Sequence, residues 1–305
     1  MLFAIKQGVR VFMLLVLTVT LTACFAPDAI VKSGDVADGL IAKELVSSHL
    51  IANQATRIHY VMRKNDSKNL IVFIHGTPGS WTVFSPQLSD EKLVENANLV
   101  AIDRPGWGGS TIFNDDGNLS LARQSQLIGP VLSELRHMFD SDNLVLVGHS
   151  LGGSLVPRIA MDYPELVDAV VVLAGDLTDQ YPAAHWYNNL ATWLLVKWML
   201  PSEMVKANDE VLALQDSLTE MKPLWRKLRA PLLIVQGNKD ELVDPRHADF
   251  AEKVGSPGGV RVERFADGGH LVHLTHAQKV SQLIAQMLLR KETSMSLLDE
   301  PLLDE

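Results

Sequence analysis

The chain has 305 residues, which is enough to bury the core of one large domain. Hydrophobic residues make up 47% of it and charged residues 21%, as is usual for a globular protein. The formal net charge is −9 and the lysines and arginines are scattered, which argues against a nucleic-acid-binding protein, because such a protein needs a basic patch.

The first 23 residues have the pattern of an export signal. Lys6 and Arg10 precede residues 11–23, an almost wholly apolar run interrupted only by threonines. This run has the length of a signal-peptide core and is short for a membrane span. It ends in Leu-Thr-Ala followed by Cys24, the only cysteine of the chain. These four residues resemble the bacterial lipobox, in which the cysteine is lipidated and becomes the new amino terminus.

The lipobox resemblance implies a membrane-anchored protein of the bacterial cell envelope. A lone cysteine in an exported protein cannot form an internal disulfide, so lipidation would give Cys24 a use. Stable anchoring takes more than one acyl chain, and lipoproteins of this kind carry several. In a Gram-negative host, Phe25 after the cysteine implies the outer membrane, facing the periplasm. The alternative is an ordinary signal peptide, or an uncleaved signal anchor, with an incidental cysteine.

The rest of the chain divides into three parts. Residues 24–50 mix polar and apolar residues with Pro27 and two glycines, so we predict a tether there. Residues 51–290 are predicted to form the folded domain. Residues 291–305 are predicted to be a mobile acidic tail, because a Leu-Leu-Asp-Glu sequence occurs twice after the last helical pattern.

Short apolar runs alternate with helical patterns inside the predicted domain. Several runs are continuous Val, Ile and Leu, which suits strands buried on both faces. The alternation predicts an α/β fold with a mainly parallel central sheet flanked by helices, whose ligands bind beyond the carboxyl ends of the strands. The predicted strands are residues 57–62 (at an edge), 71–75, 99–102, 144–147, 169–173, 232–235 and 260–265, and the predicted helices are residues 121–138, 150–162, 246–254 and 277–290.

Ser150 is the candidate nucleophile. It lies at the centre of a Gly-x-Ser-x-Gly motif at residues 148–152, between a predicted strand and a predicted helix. A sharp strand–turn–helix connection pushes the serine hydroxyl off the end of the sheet, which is the geometry of a nucleophile elbow. The amino terminus of the following helix favours negative charge that develops at this point.

An earlier loop is predicted to complete an oxyanion hole. Residues 75–80, His-Gly-Thr-Pro-Gly-Ser, directly follow the second predicted strand. Acyl transfer turns a carbonyl oxygen into an oxyanion, which N–H donors aimed in advance stabilise. One donor is expected to be the backbone N–H of Leu151 and the other that of Thr77, since Pro78 has no N–H. We interpret His75 as a structural histidine that shapes this loop.

The general base and its acidic partner are expected late in the chain. His270 follows the last predicted strand and two glycines, while His273 and His276 are nearby rivals. The acid that orients the imidazole is expected after the strand before it. Asp240 lies there, in the sequence Gly-Asn-Lys-Asp-Glu-Leu-Val at residues 237–243, which resembles the segment that carries the acid in serine α/β-hydrolases. Asp176, one strand earlier, is the alternative. The order serine, aspartate, histidine is the one expected for this arrangement.

Three motifs together resemble those of serine α/β-hydrolases. They are His-Gly-Thr-Pro-Gly at residues 75–79, Asp-Arg-Pro-Gly-Trp-Gly-Gly-Ser at residues 103–110 and Gly-His-Ser-Leu-Gly-Gly at residues 148–153. The resemblance extends over residues 58–287 and implies the α/β-hydrolase fold. It also implies that residues 103–110 hold a loop near the site rather than react. A serine at the elbow argues against haloalkane dehalogenases and epoxide hydrolases, relatives that use aspartate there.

The resemblance also implies a helical cap, inserted at about residues 176–228 between late core strands. This segment is rich in tryptophan and methionine, and residues 186–197 place apolar side chains at helical spacing. Both packing of the cap on the core and an apolar substrate pocket fit this pattern. The candidate pocket residues are Trp81, Trp186, Tyr187 and Trp193.

The predicted reaction is cleavage of a carboxylic ester with an apolar part, through a Ser-His-Asp triad and an acyl-enzyme intermediate. The sequence has no metal-binding spacing of histidines and no thiol pairs, and this chemistry requires neither a metal nor an organic cofactor. Acyl transfer to another acceptor, amide or peptide cleavage and cofactor-free perhydrolysis would use the same triad. A non-catalytic binding protein of the envelope is a further alternative.

Overall fold

A computed structural model of the chain describes residues 27–296. The predicted export signal, the predicted lipidation site Cys24 and residues 297–305 of the predicted tail lie outside the described residues. Among the helices that the structure describes, none has both the length and the apolar character that a membrane crossing requires.

The first described elements differ from the predicted tether. Helix α1 spans Asp28–Ala42 and strand β1 spans Ser47–Ala52. Helix α1 buries Ser33, Ala37 and Leu40, which lie four and three residues apart and so share one face of the helix. The two glycines of α1 have open space around them, so they do not interrupt this packing. The tether prediction is therefore wrong for this segment.

The next elements build the first part of the sheet. The predicted strands and helices of this part are present, and the predicted helix at residues 121–138 has the bounds of α4. The elements are β2 (Thr56–Arg63), β3 (Asn69–Ile74), a 3₁₀ turn (Trp81–Phe84), α2 (Ser85–Leu88), α3 (Glu91–Asn96), β4 (Asn98–Ile102), β5 (Thr111–Ile112), α4 (Leu121–Met138), β6 (Asn143–His149), α5 (Leu151–Asp162) and β7 (Ala169–Leu173).

A helical segment separates β7 from the remaining strands. The last helix runs six residues further than predicted, into the segment assigned to the tail. The elements are α6 (Trp186–Leu190), α7 (Leu194–Met199), α8 (Ser202–Met221), a 3₁₀ helix (Lys222–Lys227), β8 (Leu232–Gly237), α9 (Arg246–Val254), β9 (Val260–Phe265), α10 (Val272–Thr275) and α11 (Ala277–Ser296).

The described strands form one sheet in the order β1-β2-β4-β3-β6-β7-β8-β9, with the short β5 paired to β2. The strands from β4 to β9 along this order are parallel to one another. Strand β1 pairs antiparallel with β2, and β2 pairs antiparallel with β4. The structure thus confirms the predicted α/β fold with a mainly parallel sheet.

Both faces of the sheet are covered by apolar packing. Along β3, Val72 and Ile74 belong to one core cluster, while Ile71 and Phe73 belong to the other. This alternation explains why the central strands are continuous apolar runs, since every side chain meets a packed layer. The two layers leave the carboxyl edge of the sheet as the place where polar side chains collect.

Candidate active site

Ser150 lies at a sharp turn between β6 and α5. Its backbone has φ 55° and ψ −123°, a conformation that costs an L-residue of order 1–3 kcal/mol. The turn is held because the Ser150 N–H donates to the Leu173 carbonyl at 2.9 Å. Gly152 packs so closely that a Cβ there would lie 2.2 Å from the Ile74 carbonyl oxygen. The chain therefore maintains a strained serine at the end of a central strand.

The loop after β3 passes directly over Ser150. A Cβ at Gly76 would lie only 2.7 Å from the Cβ of Ser150, so this approach requires glycine. Thr77, the next residue, is one of the two predicted N–H donors. Leu151, the other, is the first residue of α5, where a backbone N–H has no acceptor within its own helix. The structure brings both predicted donor residues to the elbow.

His270 and Asp240 form a hydrogen-bonded pair at the same edge of the sheet. The Asp240 Oδ2 atom lies 3.0 Å from His270 Nδ1. The Asp240 carboxylate also accepts from the backbone N–H groups of Leu242 and Val243 at 2.9 Å and from Gln236 Nε2 at 3.1 Å. Burial raises the pKa of Asp240, but the hydrogen bond and charge of His270 and these two N–H groups outweigh it, so the net shift is downward.

His149, the residue before the candidate nucleophile, links His270 to the elbow. Its Nε2 donates to the His270 carbonyl at 3.0 Å, and the two ring centroids are 4.8 Å apart. The ring of His273 also contacts His149, with the ring centroids 4.0 Å apart and the planes tilted by 39°, and His273 is fully buried. His276 instead lies 3.4 Å from Asp267. Of the three candidate bases, His270 is the one placed against Asp240.

The alternative acid, Asp176, pairs with a different histidine. Its Oδ1 atom lies 3.0 Å from His247 Nε2, within ion-pair distance although without hydrogen-bond geometry. The other ring nitrogen of His247 accepts the Leu177 N–H at 3.1 Å. The position after β7 therefore holds a separate buried pair.

The turn at residues 103–110 holds loops together, as predicted. The Asp103 carboxylate accepts from the Trp81 and Gly109 N–H groups and from His59 Nδ1, each at 2.8 Å. Burial raises the pKa of Asp103, but these hydrogen bonds outweigh it and lower the pKa. Trp81, a candidate pocket residue, is buried beside this turn with its backbone fixed by Asp103.

A buried salt bridge that the sequence did not reveal connects α8 to the loop over Ser150. Arg104 forms a bidentate pair with Glu210, at 3.0 and 2.9 Å. Its remaining N–H groups donate to Gln124 and to the carbonyls of His75 and Gly76. Burial raises the pKa of Glu210, and the charge and hydrogen bonds of Arg104 outweigh it, giving a pKa of about 2. An ionised helix residue therefore fixes the loop that carries Thr77.

The remaining candidate pocket residues lie at the surface. Trp186 and Trp193 are 76% and 63% exposed, and Tyr187 is also exposed. The apolar side chains at helical spacing in residues 186–197 belong to two short helices, α6 and α7, with Trp193 between them. Tyr187 stacks on His185 and meets the Trp186 ring edge-on, so these aromatic rings contact one another at the surface.

Three buried histidines, His75, His149 and His273, make the free energy of unfolding fall in acid. Burial lowers the pKa of His75 and His273 to about 3, and burial together with the neighbouring His273 and His270 lowers that of His149. The unfolded chain binds these protons near pH 6.5. Stability is therefore complete above pH 6.5 and is lost as the pH falls toward 3, by about 1.4 kcal/mol per pH unit and per group.

Urea denaturation at pH 7 and pH 5 measures this loss. We expect a lower free energy of unfolding at pH 5, and His273→Leu should make the dependence shallower because it removes one buried imidazole. Equal stability of the wild-type protein at the two pH values would contradict the assignment of these rings as neutral.

Comparison with known proteins places the chain among hydrolases. It is 26% identical over 197 residues to epoxide hydrolase 1 of Caenorhabditis elegans, covering 63% of this chain and 45% of that protein. It is 24% identical over 273 residues to the 2-hydroxy-6-oxononadienedioate/2-hydroxy-6-oxononatrienedioate hydrolase of Klebsiella pneumoniae, covering 77% and 91%. The structure of the enol-lactonase of Burkholderia xenovorans matches with a TM-score of 0.61 at 14% identity, covering 79% and 99%.

The chain thus spans less than half the length of the C. elegans relative. The model of the alpha/beta hydrolase family matches residues 71–283, which is more than half of the chain and extends from β3 into α11. The chain belongs to the alpha/beta hydrolase family.

Proposed function

We propose that this protein is a serine hydrolase that cleaves a carboxylic ester through Ser150, His270 and Asp240. The observation that carries the proposal is the strained Ser150 at the end of β6, whose preceding residue, His149, contacts a histidine held at its Nδ1 by a buried carboxylate. Epoxide cleavage, the activity named for one relative, is not proposed, because the elbow residue here is serine. The resemblance of the chain's sequence motifs to those of serine α/β-hydrolases makes an acyl-enzyme the expected intermediate.

The hydrogen bonds around Asp240 set the direction of proton transfer. The lowered pKa keeps this carboxylate ionised, so it accepts a hydrogen bond from Nδ1 of His270. The proton then resides on Nδ1, and Nε2 is left free to take the proton of the Ser150 hydroxyl. Ser150 attacks the carbonyl, and His270 gives the proton to the alcohol oxygen as the ester C–O bond breaks and the alcohol leaves. The neutral His270 then activates the water that hydrolyses the acyl-enzyme and releases the acid.

The backbone supplies the charge stabilisation in this proposal. The carbonyl oxygen becomes negative when Ser150 attacks, and the N–H groups of Thr77 and Leu151 would donate to it. Gly76 supports this role because it holds the Thr77 loop against the nucleophile. The Arg104–Glu210 pair keeps the same loop in place.

Hydrolysis of p-nitrophenyl acetate, butyrate and octanoate tests the proposed function. We expect turnover by the wild-type protein, with a preference for an acyl group of appreciable apolar size. Product analysis with added hydroxylamine or an alcohol distinguishes hydrolysis from acyl transfer to another acceptor. An absence of turnover on esters, thioesters and amides alike would overturn the proposal in favour of a binding protein.

We further propose that Cys24 carries a lipid anchor in the bacterial cell envelope. Its support is the charged, apolar and lipobox-like pattern of the first 24 residues. In cells, Cys24→Ser should remain unprocessed and incorporate no labelled palmitate, whereas Ser150→Ala should be labelled like the wild type. Unchanged labelling and processing of Cys24→Ser would contradict the proposal.

A further inference from the structure

An exposed apolar surface lies on α6, α7 and the residues between them. We call it the aromatic surface, and it contains three of the six tryptophans of the chain. Leu194 and Trp198 are both 84% exposed, more than the other members. The members are Trp186, Trp193, Leu194, Trp198 and Met199.

The composition of this surface separates it from an ordinary solvent-facing helix pair. Between Gln180 and Ser202 the only lysine, arginine or acidic residue is Lys197, which pairs with Asp209 at 3.3 Å. Tryptophan and leucine form the apolar face by which surface-bound helices enter the interface of a lipid bilayer, and tryptophan is enriched at this level of the membrane. A contiguous apolar patch of this kind indicates an interaction site.

The aromatic surface borders the candidate active site. His185, at the start of α6, lies 3.1 Å from the Leu242 carbonyl through its Nε2 atom. Leu242 follows the candidate acid by two residues, donates its own N–H to Asp240, and has an exposed side chain. The exposed apolar side chains and the His270–Asp240 pair therefore belong to neighbouring loops.

Helix α1 packs against the segment that follows the loop over Ser150. The Ser33 carbonyl of α1 accepts from the Ser85 hydroxyl at 2.5 Å, and Ser85 follows the loop over Ser150. Cys24 precedes the first residue of α1, Asp28, by four residues, which span at most roughly 14 Å. A lipid on Cys24 would thus hold the domain close to the bilayer.

We propose that the aromatic surface inserts into the interface of the phospholipid bilayer and turns the candidate active site toward the membrane. The inference rests on the proposed lipid anchor and specifies the substrate class of the proposed function: an ester dissolved in the membrane rather than in water. The bilayer covers the tryptophans that no part of the described chain covers.

Fluorescence quenching of the full chain in vesicles tests the insertion. The other tryptophans, Trp81, Trp107 and Trp225, are buried, so quenching from the bilayer reports on the aromatic surface. In vesicles of brominated phosphatidylcholine we expect loss of emission and protection from aqueous iodide. Leu194→Ser combined with Trp198→Ser should weaken both effects. Leu50→Ser, an exposed apolar residue on β1, is the matched control and should leave both unchanged.

Activity on two esters separates this inference from the proposed function. The Leu194→Ser, Trp198→Ser variant should lose about tenfold or more in hydrolysis of an ester dissolved in the vesicles, since it removes two large apolar contacts. Its hydrolysis of water-soluble p-nitrophenyl butyrate should stay unchanged.

If the wild type hydrolyses the soluble ester while its tryptophans remain open to iodide, the membrane inference fails and the hydrolase proposal stands. Quenching without hydrolysis of any ester would support insertion into the bilayer and overturn the hydrolase proposal. Self-association that the variant abolishes, without quenching, would assign the surface to a second copy and overturn the inference.

Discussion

Ser150→Ala is expected to lower kcat for ester hydrolysis by at least about a thousandfold while the protein stays folded. The hydroxyl is the proposed nucleophile, and neither His270 nor the backbone donors can replace it. The change removes only the hydroxyl and keeps the Cβ that packs under the Gly76 loop. Steady-state kinetics with p-nitrophenyl butyrate and circular dichroism measure the two parts of this prediction.

Two further variants sharpen the Ser150 test. Ser150→Gly should be equally inactive but more stable than Ser150→Ala, by roughly 1 kcal/mol, because glycine adopts positive φ without the Cβ clash. Ser154→Ala is the control, because its buried hydroxyl makes no hydrogen bond and it lies one turn further along α5. Retention of activity by Ser150→Ala would mean that another residue performs the attack.

Glu210→Ala is expected to destabilise the protein by about 3–5 kcal/mol, because it leaves the fully buried Arg104 without its carboxylate. Activity should also fall, by roughly tenfold to a hundredfold in kcat, since Arg104 positions the His75 and Gly76 carbonyls of the loop that carries Thr77. Urea denaturation and steady-state kinetics measure these losses.

The controls for Glu210 distinguish charge from general disruption. Glu210→Gln keeps the shape and part of the hydrogen bonding, so its losses should be smaller. Glu165→Ala breaks the exposed pair with Arg229, where we expect a change of less than about 1 kcal/mol. A Glu210→Ala protein that is as stable and as active as Glu165→Ala would show that the buried pair does not hold the loop.

The central strands were predictable because their physical cause is local in the sequence. A strand covered on both faces needs an apolar residue at every position, as β6 and β7 show, and a strand edge that carries chemistry is followed by Gly, Ser, Asp or His. Helix α1 was missed because its buried face is narrow, with Ser33, Ala37 and Leu40 among polar residues. Their spacing of four and three residues was the available signal.

The parts of the site that the sequence did not reveal depend on contacts between distant segments. Arg104 and Glu210 are 106 residues apart, and nothing in either local sequence indicates the other. The same is true of Asp176 and His247, whose pairing distinguishes the alternative acid from Asp240. The exposure of Trp186 could not be foreseen, because an apolar helical face has the same sequence pattern whether the protein or another partner covers it.

Labelling with a fluorophosphonate, followed by mass spectrometry of the digested protein, tests the proposed nucleophile most directly. The reagent forms a stable adduct with a serine that a neighbouring base activates, so it reports on Ser150, His270 and Asp240 acting together. The account predicts one adduct per chain, on the peptide that contains Ser150, with loss of labelling in His270→Ala and after unfolding. An unlabelled Ser150 in active protein, or an adduct on a different residue, would contradict it.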